Sequence, residues 1–192
     1  MLHTETIYPA TLELLKRMMA DKQFEGFCLV GGTSLALQIG HRLSVDLDIF
    51  SDFSFDEMKL TQHLQKEYDF ELDYIAKETV KGETNGVKIY CIAHTYKWIN
   101  KFTETEGIRL ASLEDLCAMK LNAISVSGTR IKDFIDLAYL SSKFTLNEML
   151  AFYRQKYNVS HLVPLKALTF FDEINFDEPT MLLYSYSKIF AK

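Results

Sequence analysis

The sequence predicts an α+β protein with a small mixed or antiparallel sheet flanked by helices, followed by an all-helical C-terminal half. Three observations carry this. Apolar runs with period two lie in roughly the first hundred residues, helical spacing takes over from Ser112, and charge divides along the same line. Ser44 to Glu78 carries ten acids against three bases, net −7, whereas Lys120 to Lys166 carries seven bases against three acids, net +4. The boundary is expected in Asn100 to Ala111, dividing an α/β core (1–105) from a helical domain (106–192).

In chain order, Pro9 opens a helix to about Asp21, with Leu12, Leu15 and Met18 on one face. Phe27 to Val30 reads as a short buried strand ended by Gly31-Gly32. Thr33 is placed as the cap of a short helix through Ile39, which Gly40 terminates, and Val45 to Phe50 is a second strand. Ser54 with Glu57 has capping-box spacing for a helix to about Glu67. Phe70 to Ala76 and Val87 to Ala93 alternate and are read as an antiparallel hairpin joined through Lys81-Gly82 and Asn85-Gly86. Helices follow at Ser112 to Val126, Arg130 to Ser142, Thr145 (boxed with Glu148) to Tyr157, and His161 to about Asp172.

The chain has 192 residues, a mass of 22.2 kDa and a net charge of −5, with 14 Phe and 10 Tyr to build a core. That excludes a disordered or fibrous chain and argues against indiscriminate coating of nucleic acid, which requires many cations on phosphates. Cys28, Cys91 and Cys117 sit among apolar neighbours and read as reduced core thiols of a cytoplasmic protein. No signal peptide or membrane span is read in the sequence, and no CxxC or HxxxH metal motif. His41, His63, His94 and His161 have no partners at ligand spacing and read as structural or exposed.

The chemistry concentrates in Val30-Gly31-Gly32-Thr33-Ser34 and, one short helix later, Arg42-Leu43-Ser44-Val45-Asp46-Leu47-Asp48-Ile49. Strand side chains alternate, so Asp46 and Asp48 share one face while Val45, Leu47 and Ile49 pack on the other. Paired carboxylates repel unless a cation neutralises them, and all-oxygen ligation by one or two carboxylates suits Mg²⁺. A strand ending in Gly-Gly lets backbone approach a ligand, and the amides of the next helix favour a phosphate, with Ser34 adding a hydroxyl.

These residues resemble the polymerase-beta-like nucleotidyltransferase superfamily, marked by a glycine pair, a short helix and then D-x-D. Within it, GGTSLALQIGHRLSVDLDIF is similar to the AbiEii branch, toxins of bacterial toxin–antitoxin and abortive systems. LASLEDLCAMKLNAI, KDFIDLAYL and LVPLKALTFFDE continue the likeness through the helical half. The resemblance implies a nucleotidyltransferase sheet, NTP as substrate, Mg²⁺ held by Asp46 and Asp48, transfer to a tRNA end or a protein hydroxyl, and a cognate antitoxin. Gly31, Gly32, Thr33 and Ser34 would cradle the nucleotide.

Lys120 falls inside the apolar stripe of its helix, beside Leu113, Leu116, Cys117, Leu121 and Ile124. It either snorkels to solvent or, as the resemblance favours, points a catalytic cation at the nucleotide phosphates. Lys132, Asp133 and Asp136 match the branch's K-D-x-x-D, and the two acids are placed to orient either Lys120 or a substrate hydroxyl. Arg42 and Ser44 match its R-x-S, with Arg42 either binding phosphate or pairing with an acid.

Two departures bear on activity. Superfamily enzymes use a third carboxylate on a later strand, and aligning Gly86-Val87-Lys88-Ile89-Tyr90-Cys91 with the branch puts Tyr90 there. A neutral phenol is a poor Mg²⁺ ligand and a poor base near pH 7. Asp73 and Glu71, on one face of the preceding strand, are the alternative acids. Ser127-Gly128 stands where relatives carry Arg-Gly.

Overall fold

Alternation along two short strands decides the architecture. In the computed structural model, which describes residues 1–177 and 179–183, β1 (Cys28–Leu29) and β2 (Leu47–Ser51) pair antiparallel. Leu29, Leu47 and Ile49 point down into a core with Leu15, Met18, Phe24, Leu60 and Leu64. Cys28 and Val30 point up, into a second core with Leu35, Leu116, Cys117, Leu121, Leu137 and Leu140. The lower core is supplied by α1 (Pro9–Ala20) and α3 (Glu57–Tyr68). The upper one lies between α2 (Gly31–Ile39) and the later helices α4 (Leu113–Val126), α5 (Ile131–Leu140) and α6 (Leu146–Tyr157). Each fully buried Leu or Phe contributes about 1.5–3 kcal/mol. Asp48, alternating with Leu47 and Ile49, therefore points up toward the helical half.

The sheet has seven strands. β3 (Glu71–Ala76), β4 (Thr79–Thr84) and β5 (Val87–Ala93) form an antiparallel meander, β5 runs parallel to β2, and the order is β3-β4-β5-β2-β1-β7-β6. β6 (Thr103–Thr105) and β7 (Ile108–Leu110) form a hairpin whose second strand pairs parallel with β1. The expected boundary at 105/106 falls in this hairpin's turn. A short α7 (Leu162–Ala167) follows α6, and residues 178 and 184–192 of the expected helical domain lie outside the described residues.

Several elements differ from the sequence expectation. The anticipated hairpin of Phe70–Ala76 with Val87–Ala93 is a three-stranded meander, because Thr79–Thr84 inserts as β4. Gly82 marks no turn; it lies within β4, where a Cβ would collide with the Glu71 carbonyl and the Phe70 ring. Lys77-Glu78 turns β3 into β4, and Asn85-Gly86, both at positive φ (50° and 77°), turns β4 into β5. Helix α2 starts at Gly31 with Val30 as N-cap, so Thr33 lies inside it and caps nothing. Asp56 caps α3 through the amides of Met58 and Lys59, displacing Ser54. Strand β2 begins at Leu47, leaving Val45 exposed rather than packed. The Thr145–Glu148 capping box forms as expected, whereas α7 ends at Ala167, short of Asp172.

Candidate active site

Where β1 ends and β2 begins, the sheet faces α4 and α5 across a cavity of about 330 Å³. Asp46, Asp48, Gly32, Arg42 and Ser44 come from the sheet side, Lys120, Arg130 and Lys132 from the helical side, and Pro179 and Met181 from the chain's later segment. The acidic and basic halves of the sequence thus meet here.

The glycine pair is required by close approach. Gly31 takes φ +67°, and a Cβ there would overlap the Asp48 carboxylate; at Gly32 a Cβ would overlap the Arg42 guanidinium. Burial drives the Asp48 pKa up, with Lys120 opposing and Asp46 reinforcing, and the result is about 6. Asp46 is held through its carbonyl, which accepts from Thr33 Oγ1, itself 2.8 Å from Ser44 Oγ.

The cations are set by Asp136. This fully buried carboxylate takes Arg42 Nε at 2.6 Å, Arg42 Nη2 at 3.0 Å, His41 Nε2 at 2.7 Å and Lys120 Nζ at 2.7 Å. Burial alone would raise its pKa, but Lys120, His41 and Arg42 outweigh that and hold it well below the usual carboxylate range. Lys120 also donates to Asp133 at 2.6 Å. Burial disfavours its charge, but Asp136 and Asp133 overcome this and raise its pKa.

Of the expected site residues, Gly32, Arg42, Ser44, Asp46, Asp48, Lys120 and Lys132 line the cavity. Asp133 and Asp136 stand behind Lys120 and Arg42. Lys120 does not snorkel outward, and Arg42 pairs with an acid while keeping a place on the cavity wall. Gly31 lies under Asp48, Thr33 braces the Asp46 backbone, and Ser34 is buried, accepting from Gln38 Nε2 at 3.2 Å. Sequence reasoning missed Arg130, which reaches the cavity from the N-cap of α5, whereas His41, read as structural or exposed, is structural and fully buried on Asp136. An arginine two residues ahead of K-D-x-x-D was the available signal for the first.

Tyr90 is the register partner of Asp48 on the parallel neighbour β5. Burial, then the nearby Asp46 and Asp48 charges, raise its pKa, so the phenol stays protonated. Asp73 and Glu71 lie on exposed β3, two strands farther out, and do not line the cavity. Among the described residues no group of three His, Cys, Asp or Glu side chains is placed to form a metal cage. Two carboxylates on a cavity wall, one of them with a raised pKa that a cation would relieve, fit Mg²⁺ with the rest of its shell from water and substrate phosphate. No helix among the described residues is long and apolar enough to cross a membrane.

Comparison with known proteins bears on the fold and the family. A protein of Aquifex aeolicus (strain VF5), "Uncharacterized protein aq_aa25", is 29% identical over 168 residues, covering 84% of this chain and 81% of its own. The crystal structure of JHP933 from Helicobacter pylori superposes with a TM-score of 0.50 at 16% identity, over 85% of this chain and 90% of that one. A second H. pylori structure, provisionally described as a nucleotidyltransferase, gives 0.51 at 16% identity, over 84% and 93%. At such identity these two speak for a shared fold. The family model of the nucleotidyl transferase AbiEii toxin, of type IV toxin–antitoxin systems, matches residues 13–86 and 67–186, and with most of its length so matched the chain belongs to the AbiEii family of nucleotidyltransferase toxins.

Proposed function

We propose that this toxin-family enzyme is Mg²⁺-dependent and moves a nucleoside monophosphate from an NTP to a hydroxyl on an RNA, such as a tRNA end, or on a protein. The observation that carries the reading is one cavity with Asp46 and Asp48 on one wall and Lys120, Arg130 and Lys132 on the other. The acceptor oxygen attacks the α-phosphorus, the bond to the β-phosphate oxygen breaks, and pyrophosphate leaves with the displaced electron pair. Asp46 and Asp48 would hold the Mg²⁺, which when bound would offset negative charge on the phosphates. Lys120 and Arg42, fixed by Asp136, stabilise charge that develops as pyrophosphate departs, without reorganising. Gly32 and Ser44 take the phosphates at the sheet side.

With Tyr90 beside Asp48, no third carboxylate among the described residues lines the cavity to take the acceptor's proton, which passes to water in the cleft. A missing general base costs about 10²–10⁴ in rate, so turnover is slow. Tyr90 also supports a second reading, a nucleotide- or RNA-binding protein whose chemistry has lapsed. Incubation with each α-labelled NTP, Mg²⁺ and total RNA or protein separates the two. Label transferred by the wild type and lost in Asp46→Asn and Asp48→Asn supports the enzyme; Mg·NTP binding without transfer, with transfer appearing in Tyr90→Asp, supports the second reading. A cognate antitoxin is part of the proposal, tested by co-expression of the neighbouring gene.

A further inference from the structure

The outer part of the sheet leaves one face open. Along β3, β4 and β5, Ile75, Val80, Ile89 and Cys91 point into the lower core, so their alternating neighbours Tyr74, Lys81 and Tyr90 lie on the opposite face. Register brings these three and Asp48 into one row across four strands: Tyr74 opposite Lys81, Lys81 opposite Tyr90, Tyr90 opposite Asp48. Tyr74 is 54% exposed, Lys81 and Tyr90 are half-buried, and the Lys81 ammonium lies 5.5 Å from the Tyr74 ring and 5.8 Å from the Tyr90 ring. At about 4.8 Å per strand the row runs roughly 14 Å, from the sheet edge to the carboxylate wall of the cavity.

We propose that this row is the track for the acceptor, and that the acceptor is a single-stranded nucleic-acid end. This deepens the transferase reading and rests on it. Two aromatic rings about two strands apart, Tyr74 exposed and Tyr90 half-buried, offer stacking surfaces to successive bases, which needs no sequence preference because every base has a π-face. The ammonium between the rings complements a backbone phosphate, and the exposed Arg130 at the cavity supplies the next cation along the path. Glu71 and Glu83 share a neighbouring row with Lys88, which partly offsets them and confines the favourable path to the Tyr74–Lys81–Tyr90 row. The row ends at Asp48, where a terminal hydroxyl must arrive. Tyr90 thereby acquires a role of its own in place of the third carboxylate, since its ring gives the last base before Asp48 a surface to stack on.

The test is fluorescence anisotropy of the full chain with dye-labelled oligoadenylate and oligouridylate of about ten nucleotides, within the usual site size for such surfaces. Both oligonucleotides are expected to bind. Tyr74→Ala and Tyr90→Ala weaken binding about tenfold, Tyr74→Phe and Tyr90→Phe retain it, and Lys81→Gln lowers the salt slope by about one. Tyr74 is exposed, so its Ala variant folds, and an unchanged melting curve verifies this. Absence of oligonucleotide binding, or equal binding by wild type and Tyr74→Ala, overturns the track. Labelled nucleotide found only on protein overturns the track and leaves the transferase reading standing. Oligonucleotide bound along the row by a protein that transfers nothing supports the track and overturns the transferase.

Discussion

Asp136 gathers three positively ionisable side chains, Lys120, Arg42 and His41, around one carboxylate with no exposed surface. Replacing one partner of such a buried set strands the others. Asp136→Asn is therefore expected to cost about 3–5 kcal/mol, read as a lower midpoint in urea, and to abolish any transferase activity in the protein that remains folded. Asp48 makes a different prediction. Its native pKa of about 6 exceeds the ordinary value of about 3.9 in an unfolded chain, so between those pH values the folded state holds a proton that the unfolded state has released. In the absence of divalent metal this group's contribution must fall as pH rises from about 4 to 6, and Asp48→Asn must remove that dependence from the melting temperature. If Asp48 holds Mg²⁺ as proposed, the same proton would compete with the ion, and its affinity measured by calorimetry is expected to weaken below about pH 6. At this scale the places of Asp46, Asp48, Gly31, Gly32 and Lys120 at or beside the cavity were legible, because strand alternation fixes Asp48, Asp46 precedes the strand by one residue, and a lysine in an apolar stripe is conspicuous. Arg130 and the pairing of His41 with Asp136 were not, because they depend on how α5 is capped and how the turn after α2 enters the core.

At the scale of elements, a buried pair that sequence reading passed over ties two helices to the segment that follows β5. Asp115, in the first turn of α4, accepts from the amides of Ile99 and Asn100, from Ser112 Oγ at 2.8 Å and from Lys156 Nζ of α6 at 2.7 Å. Lys156 also lies 4.4 Å from the centre of the Trp98 ring. One carboxylate thus fixes the segment leaving β5, the start of α4 and the end of α6. Asp115→Ala or Lys156→Ala each leaves an uncompensated buried charge and should cost about 3–5 kcal/mol, whereas the double replacement Asp115→Leu with Lys156→Met should cost less than either, as denaturant midpoints would reveal. The helical half was readable because its apolar stripes are long. The sheet was read less well, because β4 contains Lys81, Gly82 and Glu83 and looks like a turn, and because the three-residue strands β6 and β7 are too short to show a period.

Across the whole molecule, a net charge of −5 conceals two halves of opposite sign that fold against each other, with the cleft at their junction. The two cores share β1, whose alternate residues face opposite layers, so the carboxylates and the cations of the cleft are held by one continuous packed body. Such preorganisation supplies most of the catalysis in phosphoryl transfer, and it predicts activity that survives the loss of a third carboxylate but not the loss of the first two. The direct test is transfer of label from α-labelled NTP to a macromolecular acceptor in the presence of Mg²⁺. Label transferred by the wild type, dependent on the ion and eliminated in Asp48→Asn, is the predicted result; no transfer with any NTP, or transfer undiminished in Asp48→Asn, contradicts the assignment of this cleft as the site of reaction.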